Sequence, residues 1–177
     1  MPGRLLGACF AVAMLAAAGW AQPAPPPLPD WSAMEFLLGK WTAGGSGAPG
    51  QGAGAVSFEL ALGKRVLLRR SSADYPATAQ RPAYSHTDLM VFYRAEPSGT
   101  LLADYWDNEG HVIHYEVRTS VPATVVMTSP ARSGEPRYRL SYRGKSDGTV
   151  TGMFEIAPPD KPEAFAKYLE WTQQRAK

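Results

Sequence analysis

Residues 89–115 read LMVFYRAEPSGTLLADYWDNEGHVIHY, three alternating runs broken by two reversals. Glu96-Pro97-Ser98-Gly99 has Pro second and Gly fourth, and Asp107-Asn108-Glu109-Gly110 also ends on Gly. Both suit a type I turn whose closing Gly takes the left-handed bulge of a three-residue hairpin loop. Glu96 then pairs with Thr100 and Asp107 with His111, and the rest of the ladder follows by counting. One face carries Tyr93, Ala103 and Tyr115, then Val91, Tyr105 and Ile113, then Leu89, Asp107 and His111 at the turn end. The other carries Phe92, Asp104 and His114, then Met90, Trp106 and Val112, then Arg94, Leu102 and Glu116. The first face is apolar and aromatic except at its end, which assigns it to the interior with Asp107 and His111 on the rim. The second is read as a solvated outer surface. On it, Met90, Trp106 and Val112 imply a cover, either a helix or a second copy of the chain.

The same period of two extends outward from this segment. Val56, Phe58, Leu60 and Leu62 alternate with Ser57, Glu59 and Ala61, and Tyr138, Leu140 and Tyr142 alternate with Arg137, Arg139, Ser141 and Arg143. Strands are expected over 40–44, 55–62, 64–72, 84–95, 100–107, 111–119, 123–128, 136–144 and 149–157. About nine or ten short strands joined by turns describe an all-β protein, an up-and-down antiparallel barrel or a sandwich. A short helix is expected over Trp31–Leu38 behind Asp30. A second is expected after Pro162, where Phe165, Tyr168, Leu169 and Thr172 fall on one side. The glycines between Gly44 and Gly54 read as a flap or a bulged strand, since no helix pattern follows to make a phosphate loop.

Arg4 followed by the apolar run Leu5–Ala18 and the small-x-small pattern of Gly19 and Ala21 around Trp20 reads as a secretory signal over residues 1–21, shorter than a membrane span. The Pro-rich residues 22–30 form a linker, and 31–177 form the barrel domain. The expected location is the periplasm or the outside of a bacterial cell, with no integral membrane segment after cleavage. Cys9, the single cysteine, falls within the signal, so the barrel has neither disulfide nor thiol chemistry. The 18 Lys and Arg residues against 16 Asp and Glu give a net charge of +2, without the basic excess of a nucleic-acid binder.

The chemistry-bearing residues are few. The three histidines are His86, His111 and His114. His111 and His114 point to opposite faces of a regular strand, so they do not form a metal site together. His111 opposite Asp107 is the acid/base candidate, because a carboxylate fixes an imidazole's tautomer. The competing role is structural: Asp107 bonds the backbone of its own turn while His111 shields the hairpin. Tyr93, Tyr105, Tyr115, Tyr138 and Tyr142 are assigned inward, either as core bodies or as the lining of a pocket for a small hydrophobic or aromatic molecule. No hydrolase triad, paired-carboxylate motif, Cys/His cluster or dinucleotide fingerprint is present.

Three blocks carry a resemblance: Phe36-Leu37-Leu38-Gly39-Lys40-Trp41, Asp88-Leu89-Met90-Val91-Phe92-Tyr93, and Asp104 to Ile113. A short helix leading into Gly-x-Trp resembles the lipocalin signature of the calycin superfamily. The blocks together are similar to an uncharacterised family of exported bacterial lipocalin-like proteins, from about Trp31 to the C-terminus. The resemblance implies a calycin-type barrel whose Trp closes one end, and no established activity. The chain is also distantly similar to nitrobindin-type haem barrels. Those hold iron through a His near the C-terminus, whereas the last His here is His114, so no haem is expected. The function expected is that of an exported small-molecule binding barrel. The alternatives are a lyase or isomerase using His111 as general base with tyrosine hydroxyls, and a structural or interaction module.

Overall fold

The structure is a computed structural model that describes residues 25–47 and 49–177. The signal expected over 1–21 and the start of the linker, 22–24, lie outside the described residues. Ten strands run in chain order: β1 (Gly39–Gly47), β2 (Gly52–Ala61), β3 (Val66–Tyr75), β4 (Tyr84–Ala95), β5 (Thr100–Asp107), β6 (Val112–Arg118), β7 (Thr124–Thr128), β8 (Arg137–Gly144), β9 (Val150–Ala157) and β10 (Ala166–Arg175). Each pairs antiparallel with its sequence neighbours, and β1 also pairs with β10, which closes the sheet into an up-and-down barrel.

The helix expected after Pro162 is instead β10, the closing strand. Its apolar positions satisfy the helical spacing, but Leu169, Trp171 and Gln173 also alternate inward, and a strand there pairs the otherwise bare edges of β1 and β9. Trp171 faces glycine on both sides, Gly45 on β1 and Gly152 on β9. A side chain at Gly152 would collide with the indole, so that glycine is what lets Trp171 lie against the sheet. Of the glycines expected as a flap or a bulged strand, Gly44, Gly45 and Gly47 lie in β1 and Gly52 and Gly54 in β2, with no bulge and in unbroken register from Gly39↔Phe58 to Gly45↔Gly52.

The two central reversals differ. The β5–β6 turn gives the expected register, with Tyr105 opposite Ile113, Ala103 opposite Tyr115 and Asp104 opposite His114. The β4–β5 turn is one residue longer: Ala95, not Glu96, pairs with Thr100, and Gly99, at φ +68°, donates its N–H to Ala95 O. Because side chains alternate with a period of two, this single step turns β4 over. Met90 and Phe92 point inward and are fully buried. Tyr93, expected inside, points outward and donates to Asp104 Oδ2 at 3.0 Å. Burial favours this arrangement, since it buries two large apolar side chains and leaves outside the tyrosine that has an acceptor there. The outer apolar row is accordingly Leu89, Trp106 and Val112, with Met90 removed from it.

One end of the barrel is plugged. The segment expected as a helix over Trp31–Leu38 is a 3-10 turn, Ser32–Leu37, whose start is held by Ser32 N–H donating to Asp30 Oδ1. It inserts Met34 and Leu37 between Trp31 and Trp41, all four buried. The Trp41 indole N–H donates to Leu37 O at 2.7 Å, and the Arg175 guanidinium lies 4.1 Å from the Trp41 ring centroid. Above this plug Phe58, Leu67, Phe92, Val125, Met127 and Tyr142 fill the interior.

Candidate functional site

The other half of the barrel is not filled. There β1, β2 and β3 turn Ala43, Gly45, Gly54, Ser71 and Ala73 toward the lumen, while the remaining wall carries Tyr105, Tyr115, Tyr138 and Phe154, with Trp171 on β10 beside Gly45. Small side chains facing large ones across a ten-strand circumference leave a cavity of about 360 Å³. It opens between the turns at the end away from the plug, where Tyr75, Tyr84, Glu109, His111 and Tyr168 form the rim. The volume lies within the usual range for small-molecule sites, and the lining is mostly apolar with a few convergent polar groups.

No protein-family model matches the chain, and no curated protein is significantly similar to it. The functional reading therefore rests on the cavity.

Of the side chains expected at a site, Tyr105, Tyr115, Tyr138, Asp107 and His111 line the cavity. Tyr142 is buried beneath it, against Phe58 and Trp171. Tyr93 lies on the outer surface. Asp107 makes the contacts of both arrangements weighed for it, one with each oxygen. Its Oδ1 accepts the backbone N–H groups of Glu109 and His111 at 3.0 and 2.9 Å, fixing the turn. Its Oδ2 accepts from His111 Nδ1 at 2.8 Å and from the Tyr105 hydroxyl at 3.0 Å.

Two groups were not foreseen because their side depended on the register of β4. His86 faces inward, with Nε2 3.0 Å from the Tyr105 hydroxyl and Nδ1 3.0 Å from Glu109 Oε1. Tyr105 has one proton, which goes to the acceptor-only Asp107, so its oxygen accepts from His86 Nε2–H; Glu109 in turn requires a proton on Nδ1. All these contacts form together when His86 is the imidazolium. Below it, Arg69 on β3 is paired with Asp88 on β4, their side chains only 7% and 4% exposed. The Arg69 Nη1 donates to Asp88 Oδ1, whereas Nε is buried with no acceptor among the described residues.

The electrostatics follow from this packing. Burial is the largest single influence on Arg69 and opposes its charge, but the Asp88 carboxylate together with the surrounding Tyr142, Tyr105 and Tyr115 outweighs it, and the guanidinium holds its proton more tightly than usual. Asp88 titrates above the ordinary carboxylate range, burial outweighing the attraction of Arg69 and His86. Burial, then the carboxylates of Asp88 and Asp107, push the Tyr105 hydroxyl far up, so it serves as a neutral donor. Asp107 moves the other way: burial raises it, but hydrogen bonds from His111, Tyr105 and Glu109 together bring it below its usual value.

That depression predicts a pH dependence. A carboxyl whose folded pKa lies below its unfolded one contributes stability that is present above the unfolded pKa of about 3.9 and lost as pH falls through the folded value. Asp107→Asn should therefore be less stable than the wild type near neutral pH. The gap should narrow as pH falls below about 4, measured by urea denaturation at a series of pH values. A gap that stays constant down to acid pH would show that the ionised form of Asp107 is not what holds the rim.

Proposed function

We propose that the protein is an exported, lipocalin-like container for a small hydrophobic or aromatic molecule, admitted through the rim at Tyr84, Asp107 and His111. The observation that carries this reading is the half-empty lumen, whose β1–β3 wall presents Ala, Gly and Ser between Arg69 at the base and Tyr75 at the rim, with aromatic side chains on the other strands. A barrel selected only as a scaffold would place larger side chains there, because unfilled apolar volume costs stability. The inward residues of the last strand are Leu169, Trp171 and Gln173, none an imidazole, so the C-terminal His by which nitrobindin-type barrels hold haem has no counterpart there.

The test is titration with N-phenyl-1-naphthylamine, an uncharged fluorescent probe of suitable size. Fluorescence should rise to saturation, and the melting temperature should increase, since ligand at 100 times its Kd stabilises by about 2.7 kcal/mol. Ala73→Phe, which fills the lumen from the small-residue wall, should abolish both effects and leave the fold intact. Tyr105→Ala should weaken them. Equal probe binding by wild type and Ala73→Phe would place the probe outside the barrel and end the proposal.

A second reading, a lyase or isomerase, is favoured by the continuous chain Glu109, His86, Tyr105, Asp107 and His111 along the rim of the cavity. With substrate in place the Tyr105 hydroxyl would turn its proton from Asp107 to a developing oxyanion, and the neutral imidazole of His86 or His111 would take the proton from carbon and return it. Deuterium exchange at carbon next to a ketone carbonyl, followed by NMR in D₂O, should then be catalysed by the wild type and lost in His86→Ala. Exchange unaffected by His86→Ala and by His111→Ala would remove this reading.

A further inference from the structure

The buried pair at the base of the lumen narrows the class of molecule the container takes, an inference that rests on the container reading. Arg69 lines the cavity but is only 6% exposed, and its Nε–H has no acceptor among the described residues. The Tyr142 hydroxyl behind it is likewise without a partner among them; Arg69 Cζ lies 6.0 Å from the Tyr142 ring centroid. A buried donor left unpaired costs the full loss of its hydration, so a site holding one is suited to a ligand that brings an acceptor.

The charge balance decides what kind of acceptor. Asp88 already compensates Arg69, at a side-chain exposure of 4%. An added carboxylate would leave the buried group of three with a net negative charge, and it would enter past Asp107 and Glu109 at the mouth. A carbonyl oxygen accepts the same N–H without adding charge. Around it, Tyr105, Tyr115, Tyr138 and Trp171 supply flat apolar surfaces. We infer that the ligand is an uncharged aromatic carbonyl compound, such as a ring ketone, quinone or lactam, seated with its oxygen on Arg69 Nε and its ring against the tyrosine and tryptophan wall.

Three probes sharing one ring system test this by fluorescence titration of the full-length protein: 2-acetylanthracene, 2-ethylanthracene and anthracene-2-carboxylate. The ketone should bind about tenfold or more tightly than the hydrocarbon, the effect of one hydrogen bond from a charged donor. It should also bind more tightly than the carboxylate. In Arg69→Met/Asp88→Leu, which removes both charges together, the ketone's advantage over the hydrocarbon should vanish while the hydrocarbon still binds. Equal binding of ketone and hydrocarbon to the wild type would overturn the assignment of Arg69 and leave the container standing. Tightest binding of the carboxylate would overturn it in favour of an anion site. Failure of all three probes to bind would sink the container reading and this inference with it.

Discussion

Trp41→Ala should cost roughly 3 to 5 kcal/mol of folding stability, the usual range for truncating a fully buried tryptophan. Trp41 is 2% exposed at the base of the barrel. Removing it opens a void beneath the 3-10 turn and leaves Leu37 O without its indole donor. It also removes the ring on which Arg175 rests, loosening the seam between β1 and β10 at the plugged end. Since a domain's net stability is only about 5 to 15 kcal/mol, the variant should unfold at much lower urea concentration. Trp41→Phe should retain most of the packing and a good part of the lost stability. A Trp41→Ala midpoint close to the wild type would show that the plug does not hold the barrel shut.

Arg69→Met should cause a loss of similar size for a different reason. Breaking a buried ion pair from one side strands the other charge, at about 3 to 5 kcal/mol. Here the stranded group is Asp88, flanked by His86 at 3.7 Å and otherwise shut away from water. Arg69→Met/Asp88→Leu should recover most of that loss, because two apolar side chains of similar volume need no hydration. Denaturation of the two variants side by side separates the cases. A double variant as unstable as the single one would mean that Arg69 contributes by shape rather than by charge. The comparison matters for function, because a pair that can be replaced without loss of stability is free to be retained for its donor to the lumen.

The alternation in 55–62, 84–95 and 136–144 was enough to define a meandering antiparallel sheet, and the Asp107–Gly110 turn placed β5 against β6 correctly. The Glu96–Gly99 turn was compatible with loops of two lengths, and local residue preference does not choose between them. Burial does: Met90 and Phe92 gain more inside than Val91 and Tyr93 would, and that comparison needs the whole barrel. The cost of that ambiguity was confined to one strand, yet it hid His86 and Asp88, and therefore the partner of Arg69. β10 was obscured similarly, since Tyr168, Leu169 and Thr172 fit a helical period as well as Leu169, Trp171 and Gln173 fit an alternating one. Only the need of β1 and β9 for a common neighbour separates the two. The empty lumen was the least legible feature, because it depends on which small residues end up facing which large ones.

Residues at both ends of the described chain leave from the same pole. The backbone oxygen of Pro26 is held by Arg65 beside the β2–β3 turn, and Ala176 N–H donates to Lys40 O at the start of β1. The cavity opens at the opposite pole. A protein of this shape can be tethered to a surface, or fused to another domain, through its C-terminus with its opening still directed into the surrounding fluid. Immobilised preparations would then sample solutes as freely as dissolved ones.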